Sequence, residues 1–208
     1  MTGGRAHFLN TVDVSRETME RLDAYAALLA KWTRRINLVS PATLPSLWHR
    51  HILDSAQLLR YLPEGATKWV DLGSGGGFPG AVVAILAAEA APNLSVTLIE
   101  ADQRKAAFLR AVSRETSTEF DVVSQRIEAA TPQGADILSA RALASISDLL
   151  PFVERHLSSD GIALLQKGAT WNAELSIALE AWRFRWKKHE SVTDKEAVIL
   201  ELGGIERV

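Results

Sequence analysis

Cysteine is absent from this 208-residue sequence. That excludes disulfides, thiolate metal sites and every mechanism built on a cysteine nucleophile, and no metal is expected. Long apolar runs are missing as well. The longest, AVVAILAA at 81–88, falls far short of the roughly 20 residues that span a bilayer. The opening MTGGRAHFLN holds no apolar segment of a secretory signal. The expectation is therefore a cytoplasmic protein with no membrane partner. An excess of one charge is lacking too: the net charge is −2, so the total alone announces no nucleic-acid partner. What remains is ordinary for a globular chain, and a chain of this size buries roughly 70% of its unfolded surface, enough to fold without metal or disulfide.

The charge is unevenly spread. Residues 31–60 carry Lys31, Arg34, Arg35, Arg50 and Arg60 against the single acid Asp54, and WRFRWKKH at 182–189 carries four basic residues and no acid. Such patches either steer an anionic partner or form solvated surface.

Periodicity then orders the chain. Met19, Leu22, Tyr25, Leu29, Trp32 and Ile36 recur in steps of three and four, predicting a helix over 15–36. A second helical pattern runs over about 44–62, closed by PEG. Beyond it, strand-like runs (KWVDLG, SVTLIEA, FDVVSQ, ADILSA, GIALLQKG) alternate with helical ones, the pattern of βαβ units around a parallel sheet. FRWKKHESV and EAVILELGG follow as two consecutive strands, hence an antiparallel pair at the sheet's edge. The expected fold class is α/β, with a helical cap over 1–66 and one compact unit over 67–208. No apolar stripe beyond the core faces is evident, so a monomer is expected.

Five glycines fall within VDLGSGGGFPG at 70–80, directly after a strand. Glycine permits positive φ and close approach of a ligand. Gly73, Gly75 and Gly77 lie between a strand and a helix whose first position suits Pro79, so a nucleotide-like ligand could rest there. Glu100, ending the next strand, is placed to accept hydrogen bonds from two ribose hydroxyls. Two registers compete. Gly75, Gly77 and Gly80 satisfy the dinucleotide fingerprint, with Glu100 20 residues beyond; this reads as a nicotinamide oxidoreductase. Asp71 followed by Gly73, Gly75 and Gly77 instead resembles the S-adenosyl-L-methionine (AdoMet) site of class I methyltransferases, where a cationic amino-acid part replaces the pyrophosphate. The tail hairpin fits that fold, and the chain has no room for a dehydrogenase's substrate domain. A non-catalytic RNA-binding module on the same fold is a further alternative.

DLGSGGGFPG, RHILDS (50–55), WTRRINLVS (32–40), SARA (139–142) and QKG (166–168) together resemble the ribosomal small-subunit methyltransferase G family, also called glucose-inhibited division protein B. The resemblance covers the chain from about Thr18 to Leu202. It implies a Rossmann-like, mostly parallel seven-stranded sheet with an antiparallel C-terminal hairpin. It also implies AdoMet-dependent methylation of guanine N7 in the decoding-centre loop of 16S ribosomal RNA, on the small ribosomal subunit. Carried over, Gly73 and Phe78 line the AdoMet site, Ile127 and Glu128 in QRIEA flank the adenine, and Arg141 stands at the edge of the cofactor and substrate pocket. Thr33 and Val39 depart from the family's usual asparagine and threonine, which touches the N-terminal substrate contacts rather than the cofactor site.

The chemistry is consistent with this. Guanine N7 carries a lone pair and no proton, so attack on a sulfonium methyl needs positioning and no general base; no nucleophile–base constellation is evident. SARAL follows the fourth strand where exocyclic-amine methyltransferases usually carry Asn/Asp-Pro-Pro-aromatic. A ring nitrogen or a ribose hydroxyl remains as acceptor. Because the product guanine is cationic, Arg141 reads as a catalytic-site residue that holds a phosphate, the guanine O6 or the cofactor. Lys167, at a strand's carboxyl end, and Arg34, Arg35 and Asn37, at the end of the first helix, are candidates for RNA contact. His51 and Asp54, three apart on one helical face, read as a structural pair docking the cap on the sheet. Trp182, Phe184 and Trp186 alternate with Arg183, Arg185 and Lys187, predicting a half-buried strand with its aromatics inward, base stacking by the tryptophans being the alternative reading.

Overall fold

The computed structural model describes residues 2–208. Strands β1 (Lys68–Leu72), β2 (Ser95–Ile99), β3 (Asp121–Val123), β4 (Ala135–Arg141), β5 (Leu157–Lys167), β6 (Trp182–Glu190) and β7 (Val198–Arg207) form one seven-stranded sheet ordered β3-β2-β1-β4-β5-β7-β6. Strands β1 to β5 are parallel, while β7 inserts antiparallel between β5 and β6. The tail pair thus lies at the edge as expected. Strand order reverses at β1 and β4, and in open α/β sheets ligands sit at the carboxyl ends there.

Alternation along the strands divides the core into two layers. Trp69, Leu98, Ile137, Leu164 and Ile199 pack on one face, against helices α2 (Arg16–Thr33), α4 (Gly80–Ala90) and α5 (Gln103–Thr116); Val70, Leu72, Leu138, Leu165 and Leu200 pack on the other, against α6 (Ile146–His156) and α7 (Trp171–Ala178). Helix α4 is apolar all round and buried from Gly80 to Ala87, as a helix covered on both sides must be. Its outer cover is α2, capped by the Ser15 hydroxyl accepting from the Thr18 amide. Apolar residues of the cap (Leu22, Tyr25, Leu29) and of the sheet (Trp69, Leu98) belong to one continuous core.

The cap departs from expectation twice. Helix α1 (Thr2–Thr11) precedes the first expected helix; Phe8 packs edge-on to Trp48, and Arg5 pairs with Asp23 of α2. The second cap helix is not regular either. Pro41–Ser46 and Gln57–Tyr61 are 3₁₀ turns flanking a π-helical run, Trp48–Leu53, and the short α3, Asp54–Ala56. Pro45 lacks an N–H and disrupts the first part. The wide π turn then changes which side chains face inward: Ile52 and Leu53 enter the core while His51 and Asp54 reach the ends of β4 and β5. Pro79 falls at the cap of α4, one position before the expected first turn. Among the described residues no helix is long and apolar enough to cross a membrane.

Candidate active site

A cavity of about 980 Å³ opens at the carboxyl ends of β1, β2 and β4. Gly73, Gly75, Phe78, Glu100, Ile127, Glu128 and Arg141 all line it, so seven of the nine residues expected around a cofactor come together. Gly77 and Asp71 do not. Gly77 has φ +91°, and a Cβ there would stand 2.8 Å from Ala81 Cβ and 2.9 Å from the Tyr25 hydroxyl. It is a packing glycine under the cap. Asp71 lies beneath the loop, fully buried, because strand alternation turns it toward α4 rather than into the cavity. Ser74 and Gly76 of the same glycine run, and Lys105 and Arg126, also line the cavity; nothing in the local pattern marked the last two.

Two acids hold the loop. Glu100 accepts from the Gly75 amide at 2.8 Å and from the Asp102 amide at 2.8 Å. Its oxygens retain lone pairs for ribose hydroxyls. Asp71 Oδ1 accepts from the Ser139 hydroxyl at 2.7 Å, and Ser139 accepts in turn from Trp69 Nε1 at 2.9 Å. Asp71 Oδ2, which the Gly80 backbone N–H faces as donor, has no partner of good hydrogen-bond geometry. It lies against the start of α4, where a Cβ on Gly80 would stand 2.8 Å away. Burial raises the Asp71 pKa to about 6, against the opposing pull of its hydrogen bonds and of Arg141. Glu100 and Glu128 border the glycine loop with the buried Asp71 beneath it, a local setting that suits a cationic group lying on the loop. The residues present fit AdoMet, with acids for its sulfonium and ammonium and Glu100 for its ribose hydroxyls.

At the other end of the cavity Arg141 is tied to the cap. It donates to His51 Nδ1 at 3.0 Å, to the Arg50 carbonyl at 3.3 Å and to Asp54 Oδ2 at 3.4 Å, and its guanidinium lies 4.8 Å from the Phe78 ring centroid. His51 stacks on the same ring at 5.0 Å. Burial, with Arg141 and Arg50 nearby, lowers the His51 pKa to about 4. The imidazole is therefore neutral at neutral pH. With Nδ1 accepting from Arg141, Nε2 carries the proton and donates to Thr43 Oγ1 at 2.9 Å. Asp54 joins four chain segments: besides Arg141 it accepts from Gln57 Nε2 at 2.9 Å, Gln166 Nε2 at 2.8 Å and Thr193 Oγ1 at 2.7 Å.

The scan against family models matches residues 18–202 to "rRNA small subunit methyltransferase G". The chain belongs to that family. Curated relatives agree: a "Ribosomal RNA small subunit methyltransferase G" of Ruegeria sp. (strain TM1040) is 50% identical over 208 residues, covering 100% of each chain, and that of Ruegeria pomeroyi is 52% identical over 199 residues, covering 96% of this chain and 97% of the relative. Among solved structures, a TehB-like SAM-dependent methyltransferase from Corynebacterium glutamicum superposes with TM-score 0.59 at 16% identity, covering 85% of this chain and 98% of that one. M. jannaschii TYW2 in complex with AdoMet gives TM-score 0.58 at 11% identity, covering 85% and 80%. At these identities the likeness is one of fold, and it is the class I methyltransferase fold. This member of the methyltransferase G family is an AdoMet-dependent rRNA methyltransferase.

The residues expected to meet RNA divide sharply in this methyltransferase. Arg34, Arg35 and Asn37 are exposed, on the segment where α2 ends and just before Leu38, which lines the cavity. Lys167 is not free. Its ammonium pairs with Glu174 at 2.6 Å and donates to the Ala144 carbonyl at 2.7 Å, with its side chain only 10% exposed. It secures β5 to α7, and this arrangement does not support RNA contact. His51 and Asp54 do dock the cap, as expected, and do so directly on Arg141.

Proposed function

We propose that this enzyme methylates N7 of a guanine in the decoding-centre loop of 16S ribosomal RNA. AdoMet supplies the methyl group, on a sulfonium that needs no activation by the protein. Gly73, Gly75, Phe78, Glu100, Ile127 and Glu128 would hold the cofactor along the glycine loop. Arg34, Arg35 and Asn37 would take RNA at the rim. The observation that carries the choice of acceptor is the state of the groups beside Arg141. His51 is neutral with both ring nitrogens hydrogen-bonded, and Asp54 accepts from four side chains. Neither is free to take a proton from an attacking hydroxyl or amine, and N7 asks for none. Arg141 would hold the guanine O6 or an adjoining phosphate, with Phe78 beneath it excluding water. A monomer acting in the cytoplasm on the small subunit belongs to the same reading.

The test is methyl transfer from labelled AdoMet to small subunits lacking the modification, with the labelled nucleotide mapped. Label on guanine N7 in the decoding-centre loop, lost in Arg141→Ala, is expected. Label elsewhere in the 16S RNA would leave the family and remove this acceptor.

A further inference from the structure

Methyl transfer does not account for the outer edge of the sheet. Strand β6 pairs with β7 on one side and is open on the other. Arg183, Arg185, Lys187 and Lys188 stand exposed along it, with no acid before Glu190, in a chain of net charge −2. The opposing β7 places Glu206 across from Arg183 and Glu201 across from Lys187. Among the described residues neither acid forms an ion pair with them; Glu201 instead accepts from His189 at 2.7 Å. Arg185 lies along bare backbone, its guanidinium 3.5 Å from where a Cβ would stand on Gly203 or Gly204.

Cations on an edge strand ordinarily prevent sheet-to-sheet association. That purpose does not explain Trp186. Alternation puts Trp182, Phe184 and Trp186 on one face, and all three were expected inward. Trp182 is 5% exposed and Phe184 half-buried, but Trp186 is 46% exposed. A bare indole weakens a guarded edge; with Lys188 on its own face and Arg183, Arg185 and Lys187 on the other side of the same open edge, it offers nucleobases a stacking surface along a cationic rim. Its position also suits a substrate contact. β6 runs parallel to β5, so its end lies at the cavity's end of the sheet, and the loop that follows contributes Thr193 and Asp194 to the cavity. Trp186 stands four residues before that end, about 14 Å along the strand.

We propose that the open edge of β6 binds a single-stranded run of the substrate RNA flanking the nucleotide in the cavity. A base stacks on Trp186, and Arg183, Arg185 and Lys187 meet the phosphates. This rests on the rRNA substrate proposed above. The test compares the full-length enzyme with Trp186→Ala and with Arg183→Gln/Arg185→Gln/Lys187→Gln, on naked 16S RNA and on small subunits. For Trp186→Ala, the RNA KM should rise about tenfold, with kcat at saturating RNA, AdoMet affinity and melting temperature unchanged. The triple variant should flatten the slope of log affinity against log salt by about 2. An unchanged KM and slope would overturn the proposal. So would weakened action on subunits with naked RNA unaffected, which would mark a ribosomal-protein contact instead. Should the wild type methylate no rRNA, the proposed function fails by itself, and direct salt titration of RNA binding still decides the role of the edge.

Discussion

The two ends of the cavity are built on opposite plans. At the glycine loop, one stretch of 11 residues, 70–80, supplies strand end, turn and helix start, and the ligand meets backbone. At the Arg141 end, side chains from the cap, β4, β5 and the β6–β7 loop converge on a single carboxylate. The first needs bareness and a local acid; the second needs four distant segments to arrive in register. Damage should therefore spread differently. A fault in the loop is a steric fault confined to cofactor binding and local packing, whereas a fault at Asp54 strands partners throughout the junction.

Replacing Asp54 with Ala is the largest break. It leaves Arg141, whose side chain is 17% exposed, without its anion and removes acceptors from Gln57, Gln166 and Thr193. A loss of about 3 kcal/mol in urea unfolding is expected, with methyl transfer falling more than AdoMet affinity. Gly77→Ala follows. The new Cβ meets Ala81 and Tyr25 at a φ only glycine adopts readily, so about 2 kcal/mol of stability should be lost. Here AdoMet affinity, read by calorimetry, should fall with it. If the two variants affected cofactor and RNA alike, the cavity would not have two separable ends.

Their different plans also decide what could be read from the sequence. That Gly73 and Glu100 border the cavity was legible because motif and strand end lie close together in the chain; Phe78 was placed there by the family resemblance alone. The succession of parallel strands and the antiparallel tail pair were legible from alternation; their order across the sheet was not. Asp71 was read as a ligand contact because proximity in sequence does not say which face of a strand a side chain takes; it lies under the loop instead. Lys167 misled for a related reason, since a lysine at a strand's carboxyl end points at ligand and at the next helix equally well, and Glu174 on α7 decides the matter. The contacts of Gln166 and Thr193 with Asp54 were not legible, although Gln166 stands in the QKG motif: they span 112 and 139 residues. The π turn at 48–53 was equally hidden, being imposed by packing rather than propensity.

Asp71→Asn sharpens the contrast from the loop side. The folded-state pKa, raised from 3.8 to about 6, means that the neutral acid is favoured by folding. Its contribution is present below pH 3.8 and lost as pH rises through 6. Without cofactor, the Asn variant should therefore gain stability relative to wild type on going from pH 4 to pH 7. Its AdoMet affinity should fall about tenfold, one charge interaction screened across the loop. Gain without that loss would make Asp71 a purely structural acid.

The last effect lies at the other end and has the opposite sign. The His51 pKa is lowered from 6.5 to about 4, so folding favours the neutral ring, and its contribution is present above pH 6.5 and lost as pH falls toward 4. Protonation would put a cation against Arg141 and remove the Nδ1 acceptor from it. Wild-type stability should decline through this window, and His51→Gln, which does not titrate, should show a shallower acid limb in thermal melts taken from pH 7 to pH 4. Over the same interval Asp71 works the other way, so the two variants should tilt the profile in opposite directions. Parallel tilts would mean that His51 and Asp71 sense one common electrostatic field through Arg141 rather than two independent ends of the cavity.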